Sequence, residues 1–295
     1  MLNRRNLLTL AATAGGALLS GGLARPALAQ ARQKVTLGYA PWADAEFVTK
    51  LAAKLMRDRL NVEPALMQSD IAPLYQGITR GDVDAMLQLW LPETHADYWK
   101  RIESKVDRLG VLYTDAKLGW VVPSYVPKEE LDSFADLKSD EVREKLGGIV
   151  QGIEPGAGLT RVSREALKTY GLGDMYRLQE SSEAAMISMI ERSMRRKKWV
   201  VATAWSPHWM FGKYDLRYLA DPEKAMGGTE SVYAIARKGL KEQSPGVTNL
   251  LTRMNLPLDE LQKAMLDAQE TSYDKAVENY IASHKDRVES WLKTA

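Results

Sequence analysis

The fold class is decided by the stretch 148–169, which reads GIVQGIEPGAGLTRVSREALKT. It begins with the apolar residues Ile149 and Val150, as a short buried strand does, and the proline and glycines that follow form a turn. From Leu159 onward the apolar residues recur with the spacing of a helix. Similar strand–turn–helix units recur along the chain. Repeated units of this kind predict an α/β fold with a mainly parallel sheet and helices on both faces.

The other units follow from the same alternation of short apolar runs and amphipathic segments. Strands are predicted at 35–39, 65–67, 84–90, 119–123 and 199–204. Helices are predicted at 46–60, 71–80, 94–104 and 181–194, and the pattern is mostly helical after residue 241. In parallel sheets, ligands bind beyond the carboxyl ends of the strands. Trp42, Trp90, Trp205 and the glycine turn all follow predicted strands, so we expect them to meet in one region.

Tryptophan is unusually placed in this chain, which has eight Trp against three Phe. Trp42 and Trp90 lie beside prolines, and Trp205 and Trp209 share the segment Trp-Ser-Pro-His-Trp. Indoles in such turn-like contexts are typical of pocket walls. Several indole faces around one cavity attract a cation that cannot donate hydrogen bonds, because the ring quadrupole favours positive charge. This pattern favours a quaternary ammonium ligand.

Three further features are candidate contacts for a charged ligand, each with a structural alternative. The glycine turn at 154–158 leaves backbone N–H groups free at the start of a helix, which is an anion site, or it is a tight turn without a ligand. His95 can donate a hydrogen bond to a carboxylate, or it can be a structural residue with no ligand contact. Asp44 can attract a cation beside Trp42 or act as the N-cap of the next helix.

The first residues predict export. Arg4 and Arg5 precede an apolar run that ends at an Ala-Leu-Ala site, so 1–31 is expected to be a signal peptide. The paired arginines suggest export by the twin-arginine route. A membrane anchor is the alternative, although the run is shorter than the ~20 residues that a span needs. The chain has no cysteine, so disulfides are absent. We expect a free protein of a bacterial periplasm.

Composition and motifs exclude several classes. A net charge of +2 gives no strong field for nucleic acid or membranes. Three histidines and no cysteine argue against a histidine-rich zinc site, and no cofactor is predicted. No nucleophile elbow or metalloprotease motif is present. An enzyme acting on a methylated amine and a ligand-sensing domain remain as rival classes, and charge and length favour a monomer.

The chain resembles the glycine betaine/proline betaine substrate-binding proteins of ABC importers over essentially its whole mature length. The segments that carry the resemblance are WLPETH (90–95), GIEPGAG (152–158), SSEAAM (181–186), WSPHWMF (205–211), KYDLRYL (213–219) and ARKGL (236–240). The resemblance implies a type II-like periplasmic binding protein fold with two lobes and the ligand in the cleft between them. Lobe one would comprise 34–117 plus 216–295, and lobe two 118–215. A membrane permease would be the partner.

The resemblance also implies roles for individual residues. Trp42, Trp90 and Trp205 match the three tryptophans that surround the trimethylammonium group, and Trp120 is a candidate fourth wall. The ligand carboxylate would be bound by residues that match His95, Gly158 and Leu159, the last two through their backbone N–H groups.

A sister group of the family binds choline through an aromatic box and an aspartate placed like Asp44. Trp42-Ala43-Asp44 therefore favours choline or another methylated amine, whereas His95 and the glycine turn favour a betaine. Both ligand classes stay open, with the betaine as the first expectation.

Overall fold

A computed structural model of the chain describes residues 32–293, so the predicted signal peptide lies outside the described residues. The strands are β1 (Gln33–Tyr39), β2 (Val62–Gln68), β3 (Ala85–Leu91), β4 (Val106–Pro123), β5 (Ile149–Gln151), β6 (Arg177–Gln179), β7 (Val201–Ser206), β8 (Leu216–Tyr218) and β9 (Thr229–Arg237). The helices are α1 (Ala43–Arg59), α2 (Ile71–Arg80), α3 (Ala96–Ile102), α4 (Asp140–Leu146), α5 (Gly158–Thr169), α6 (Glu183–Arg195), α7 (Met210–Lys213), α8 (Leu240–Gln243), α9 (Pro245–Arg253), α10 (Leu258–Glu270), α11 (Tyr273–Ser283) and α12 (Lys285–Leu292), and a 3₁₀ helix spans Phe134–Lys138.

The strands of the described residues form one mixed sheet in the order β2-β1-β3-β9-β4-β7-β5-β6, with β8 beside β4. At one end β1 runs parallel to β2 and β3, and at the other end β5 runs parallel to β6 and β7. Between these ends, β9 and β4 are antiparallel to each other and to their outer neighbours. The predicted parallel units therefore form the two ends of the sheet, and two antiparallel strands join them.

The joining strands are where the sequence pattern is least informative. A strand is predicted only at 119–123, whereas β4 extends over 18 residues from Val106 to Pro123, and β9 is not predicted at all. β4 pairs with β9 up to Lys117 and with β7 from Lys117 to Val121. This change of partner coincides with the expected lobe boundary between residues 117 and 118.

Helix α1 is built on the apolar stripe that the sequence predicts. Phe47, Leu51 and Leu55 are each at most 1% exposed, so burial of this stripe against the sheet supplies the main stabilisation of the helix. The helix begins at Ala43, three residues before the predicted start, with Trp42 as the N-cap residue. The alternative of Asp44 as the N-cap is therefore wrong, because Asp44 lies inside the first turn.

None of the helices within residues 32–293 is both long and apolar enough to cross a membrane. The alternative of an N-terminal anchor falls on residues outside that range.

Candidate functional site

The candidate site is a cavity at the ends of β1, β3, β5 and β7, with about 300 Å³ of space free of protein atoms. The residues that line the cavity are Trp42, Asp44, Trp90, Thr94, His95, Leu118, Ile153, Ala157, Gly158, Leu159 and Trp205. Of the residues predicted for the site, only Trp120 is absent from this lining.

The three indoles of the lining are buried, and two of them are oriented by hydrogen bonds. Trp42, Trp90 and Trp205 are 6%, 3% and 4% exposed. The indole Nε1 of Trp42 donates to Glu154 Oε1 at 2.6 Å, and that of Trp205 donates to Asp44 Oδ1 at 3.0 Å. Each of these two bonds links residues more than 100 positions apart. Both bonds join residues of the two expected lobes, so they orient these two rings against the cavity while the lobes are in contact.

Asp44 is fully buried and has hydrogen bonds to both carboxylate oxygens. Trp205 donates to Oδ1, and the hydroxyl of Tyr113 donates to Oδ2 at 2.6 Å. Burial raises the pKa of Asp44, the nearby Glu183 raises it further, and the bonds from Tyr113 and Trp205 oppose this rise. The carboxylate thus positions Trp205 and adds negative charge to the wall.

The two ring nitrogens of His95 have different surroundings. Its Nδ1 accepts the backbone N–H of Trp90 at 3.1 Å and lies 3.0 Å from the hydroxyl of Tyr75. Since a backbone N–H can only donate, Nδ1 is unprotonated and the proton of the neutral ring is on Nε2. Burial lowers the pKa of His95 to about 3, with the backbone carbonyl of Gln88 opposing the shift.

The free nitrogen of His95 is therefore a hydrogen-bond donor. Nε2 is buried and has no hydrogen-bond partner among residues 32–293. The ring stacks on Trp42, with 5.9 Å between ring centroids and 22° between planes. A neutral imidazole N–H beside an indole can bind the oxygen of an anionic group without adding positive charge next to a cation.

The glycine turn brings the N-terminus of α5 to the cavity. Gly158 is the first residue of this helix, and the first N–H groups of a helix have no acceptor within it. A Cβ atom at Gly158 would lie 2.3 Å from the carbonyl oxygen of Thr94, so this close approach requires glycine. The hydroxyl of Tyr98 donates to the carbonyl of Gly156 at 2.9 Å. Helix α5 and the loop that carries His95 thus meet at one side of the cavity.

Trp120 does not line the cavity, which corrects its expected place as a fourth wall. It is fully buried, and its Nε1 donates to Ser163 Oγ at 3.0 Å. Its ring stacks on Phe134 at 4.4 Å between centroids. Helix α5 and the 3₁₀ helix cover it, so no face is left for a ligand.

Glu230 is a site-organising residue that sequence reasoning missed. It is 2% exposed, and its Oε2 accepts the backbone N–H groups of Glu93 and Thr94 at 3.2 and 3.0 Å. The hydroxyl of Thr94 donates to the other oxygen. Burial raises the pKa of Glu230, and the bonds from Thr94 oppose this rise. Glu230 therefore fixes the loop before His95. The only feature of the sequence that could have indicated this role is a single glutamate within the otherwise largely apolar strand β9.

Within residues 32–293, no group of three or more His, Asp or Glu side chains is arranged to hold a metal ion. The polar groups of the cavity are instead the imidazole of His95, the carboxylate of Asp44 and the start of α5.

The chain matches a protein-family model over most of its length. Residues 33–283 match the family model OpuAC, described as the substrate binding domain of the ABC-type glycine betaine transport system. The glycine betaine/carnitine transport binding protein GbuC of Listeria monocytogenes serotype 1/2a (strain 10403S) is 32% identical over 183 residues, which are 61% of this chain and 57% of that protein. The match thus spans little more than half of that curated relative.

Solved structures give similarity over more of the chain. The closed, glycine betaine-bound form of lactococcal OpuAC is 35% identical, with a TM-score of 0.81 over 88% of this chain and 100% of that one. The glycine/betaine/L-proline-binding protein ProX of Borrelia burgdorferi is 28% identical, with a TM-score of 0.82 over 88% of this chain and 97% of that one. These similarities confirm the expected α/β, two-lobed binding-protein fold.

Proposed function

Because the chain belongs to the family of substrate-binding domains of ABC-type glycine betaine transport systems, we propose that it captures glycine betaine or a closely related betaine and delivers it to a membrane permease. The observation that carries the proposal is the composition of one cavity. Three buried indoles, an imidazole N–H without a partner among residues 32–293 and a helix N-terminus line the same space. These groups complement a ligand with a trimethylammonium group at one end and a carboxylate at the other.

The ammonium group would lie among Trp42, Trp90 and Trp205. A methylated ammonium offers no hydrogen-bond donor, so it gives up no donated hydrogen bonds to water when it moves to an aromatic surface. Each indole contributes about 0.5–2 kcal/mol of cation–π attraction. Asp44 and Glu154 hold two of these indoles through their N–H groups, and their carboxylates add Coulomb attraction for the cation. Glycine betaine as a whole is neutral, so the negative wall must be balanced by donors at the other end.

The carboxylate would accept hydrogen bonds from His95 Nε2 and from the backbone N–H groups of Gly158 and Leu159. Hydrogen bonds to an ionised acceptor are about twice as strong as neutral ones, and the dipole of α5 favours negative charge at its start. Both kinds of donor serve a carboxylate better than the hydroxyl of choline.

Choline remains the second candidate because Asp44 lines the cavity and can accept a hydroxyl. Both of its oxygens already accept hydrogen bonds, from Trp205 and Tyr113. A choline hydroxyl would have to share an occupied oxygen, whereas a betaine carboxylate meets free donors. This difference favours the betaine.

The lobes would be 34–117 plus 216–295 and 118–215, and β4 would run from the first into the second. Each lobe supplies part of the cavity, so the ligand would favour the closed form by contacting both. The closed form would then dock on the permease. We infer export to the periplasm through the signal at 1–31, action as a monomer, and no chemical conversion of the ligand.

The proposal is tested by titrating the mature protein with glycine betaine, proline betaine, choline and proline at equal ionic strength, with tryptophan fluorescence as the signal. Saturable binding of the betaines that is lost in Trp90→Ala supports it. Tighter binding of choline, lost in Asp44→Asn, would move the protein to the choline-binding group. Absence of binding to every quaternary amine, or turnover of one of them, would overturn the proposal.

A further inference from the structure

The N-terminus of helix α1 receives no hydrogen bond from the side chain of its own N-cap residue. Its N-cap residue is Trp42, whose side chain makes no capping hydrogen bond. The backbone N–H of Ala43, the first residue of the helix, instead donates to Glu183 Oε2 at 3.1 Å. Glu183 begins helix α6 and lies 140 positions along the chain, in the expected second lobe. A carboxylate of one lobe therefore caps a helix of the other.

His208 fixes the position of this carboxylate. Its Nε2 lies 3.1 Å from Glu183 Oε1, and its Nδ1 accepts the backbone N–H of Met210 at 3.0 Å. Because Nδ1 is an acceptor, the ring proton is on Nε2 and is donated to Glu183. The side chain of His208 is fully buried and that of Glu183 is 10% exposed. Both oxygens of Glu183 thus have one partner each, and the two partners come from different lobes.

The charge of Glu183 is placed against another carboxylate. Glu183 raises the pKa of the buried Asp44, because a nearby like charge disfavours ionisation. This repulsion is offset by the N–H groups at the start of α1, where the helix dipole is positive, and by the bond from His208. When the lobes separate, α1 loses its cap and Glu183 loses one partner to water.

We propose that Glu183, positioned by His208, is a clasp that caps α1 across the cleft and stabilises the closed form around the ligand. The clasp rests on the proposed function, because it supposes that the lobes open and close around a betaine. Glu183 is absent from the cavity lining, so it is a positioning residue. Its bond to Ala43 exists only in the closed form and should slow ligand release while leaving ligand entry unchanged.

The first test is the dissociation rate of glycine betaine, measured by stopped-flow fluorescence in Glu183→Gln. The amide keeps one acceptor oxygen, so the bond to His208 or the bond to Ala43 is lost. We expect dissociation to be faster by roughly tenfold, equivalent to about 1.4 kcal/mol, with an unchanged association rate. The matched control is Glu191→Gln, which removes the same charge from the exposed face of the same helix.

The second variant removes the donor. Ala43→Pro deletes the N–H group of Ala43 at the first position of a helix, where proline is favoured. Trp42 already has φ −111° and ψ 142°, a conformation that a residue before proline adopts readily. If the clasp is real, Ala43→Pro also speeds dissociation, and the double variant is no faster than either single variant. Additive effects, or unchanged dissociation in Glu183→Gln, would overturn the clasp.

A readout without ligand separates failure of the clasp from failure of the proposed function. The chain has no cysteine, so dyes can be attached to Asp58→Cys on α1 and Lys168→Cys on α5, both exposed. We expect Glu183→Gln to lower the high-transfer, closed population in single-molecule energy transfer, with or without glycine betaine. If glycine betaine does not bind the wild type, the proposed function fails. The closed populations of the unliganded proteins still test whether Glu183 stabilises the closed form. An unchanged closed population in Glu183→Gln would contradict it.

Discussion

Two tryptophans on the same face of the sheet have different surroundings. In the antiparallel pair of β4 and β7, Leu118 lies opposite Trp205, and Trp120 lies opposite Thr203. Residues that face each other, and residues two apart on one strand, point to the same side of a sheet. Trp120 and Trp205 therefore share a face, and Trp120 lies about 7 Å deeper along the strands.

That distance separates a binding surface from a packing layer. At the strand end, Trp205 borders the cavity and donates to Asp44 across it. One step deeper, Trp120 is covered by α5 through Ser163 and by the ring of Phe134. The residue type is the same in both places, so the position along the strand decides whether an indole is free for a ligand.

The deeper tryptophan should control stability, and this is the largest expected effect. Trp120→Ala removes a fully buried indole, and such replacements lower the free energy of unfolding by about 3–5 kcal/mol. Affinity for glycine betaine, measured where the variant is folded, should stay within about threefold of wild type, since separated sites act nearly independently. Urea unfolding followed by circular dichroism checks the stability. A loss of affinity without a loss of stability would contradict the assignment of Trp120 to the packing layer.

The cavity should also differ from the deeper layer in its response to pH. Burial lowers the pKa of His95 to about 3 from 6.5, so between these values the unfolded chain binds a proton that the folded chain does not. Stability from this group is complete above pH 6.5 and decreases as pH falls. At pH 4 the loss should be about 3 kcal/mol.

Urea unfolding of the ligand-free protein between pH 4 and pH 8 measures this effect, as the difference between wild type and His95→Gln. Burial raises the pKa of Asp44, Glu154 and Glu230, but these groups are present in both proteins, so their effects largely cancel. Equal pH dependence of the two proteins would show that His95 is not buried in its neutral form.

The tryptophan at the strand end should control affinity. Trp205→Ala removes one cage wall, and we expect glycine betaine to bind about 30–100-fold more weakly, which is roughly 2–3 kcal/mol from cation–π attraction and lost apolar contact. Trp205→Phe keeps an aromatic face and should lose less. Calorimetric titration of both variants checks this order. Equal losses in Trp205→Ala and Trp205→Phe would show that the ring face does not matter.

Much of this arrangement follows from local sequence. The apolar stripe of α1 and the turn before α5 each depend on residues close in the chain, so their patterns predict them. Trp42, Trp90 and Trp205 could be placed together because strand ends converge at one edge of a parallel sheet.

The rest depends on contacts between distant residues, which no local pattern contains. Trp120 lies inside the predicted strand 119–123, and the contacts with Ser163 and Phe134 that keep it from the cavity come from distant parts of the chain. Glu230 and Glu183 act on loops and helices more than 100 positions away. The sequence pattern does not predict the antiparallel strand β9, because its position in the sheet depends on pairing with the distant strands β3 and β4.

The central claim is that one cavity binds a cation through indoles and a carboxylate through His95. Calorimetric titration of wild type and His95→Asn with glycine betaine and tetramethylammonium tests it most directly. Asparagine keeps an acceptor near the position of Nδ1 but has no group at Nε2. The account predicts that the variant binds glycine betaine at least about tenfold more weakly, since hydrogen bonds to charged groups contribute about 1.5–3 kcal/mol, and binds tetramethylammonium as wild type does. Equal weakening of both ligands, or no binding of glycine betaine to wild type, would contradict it.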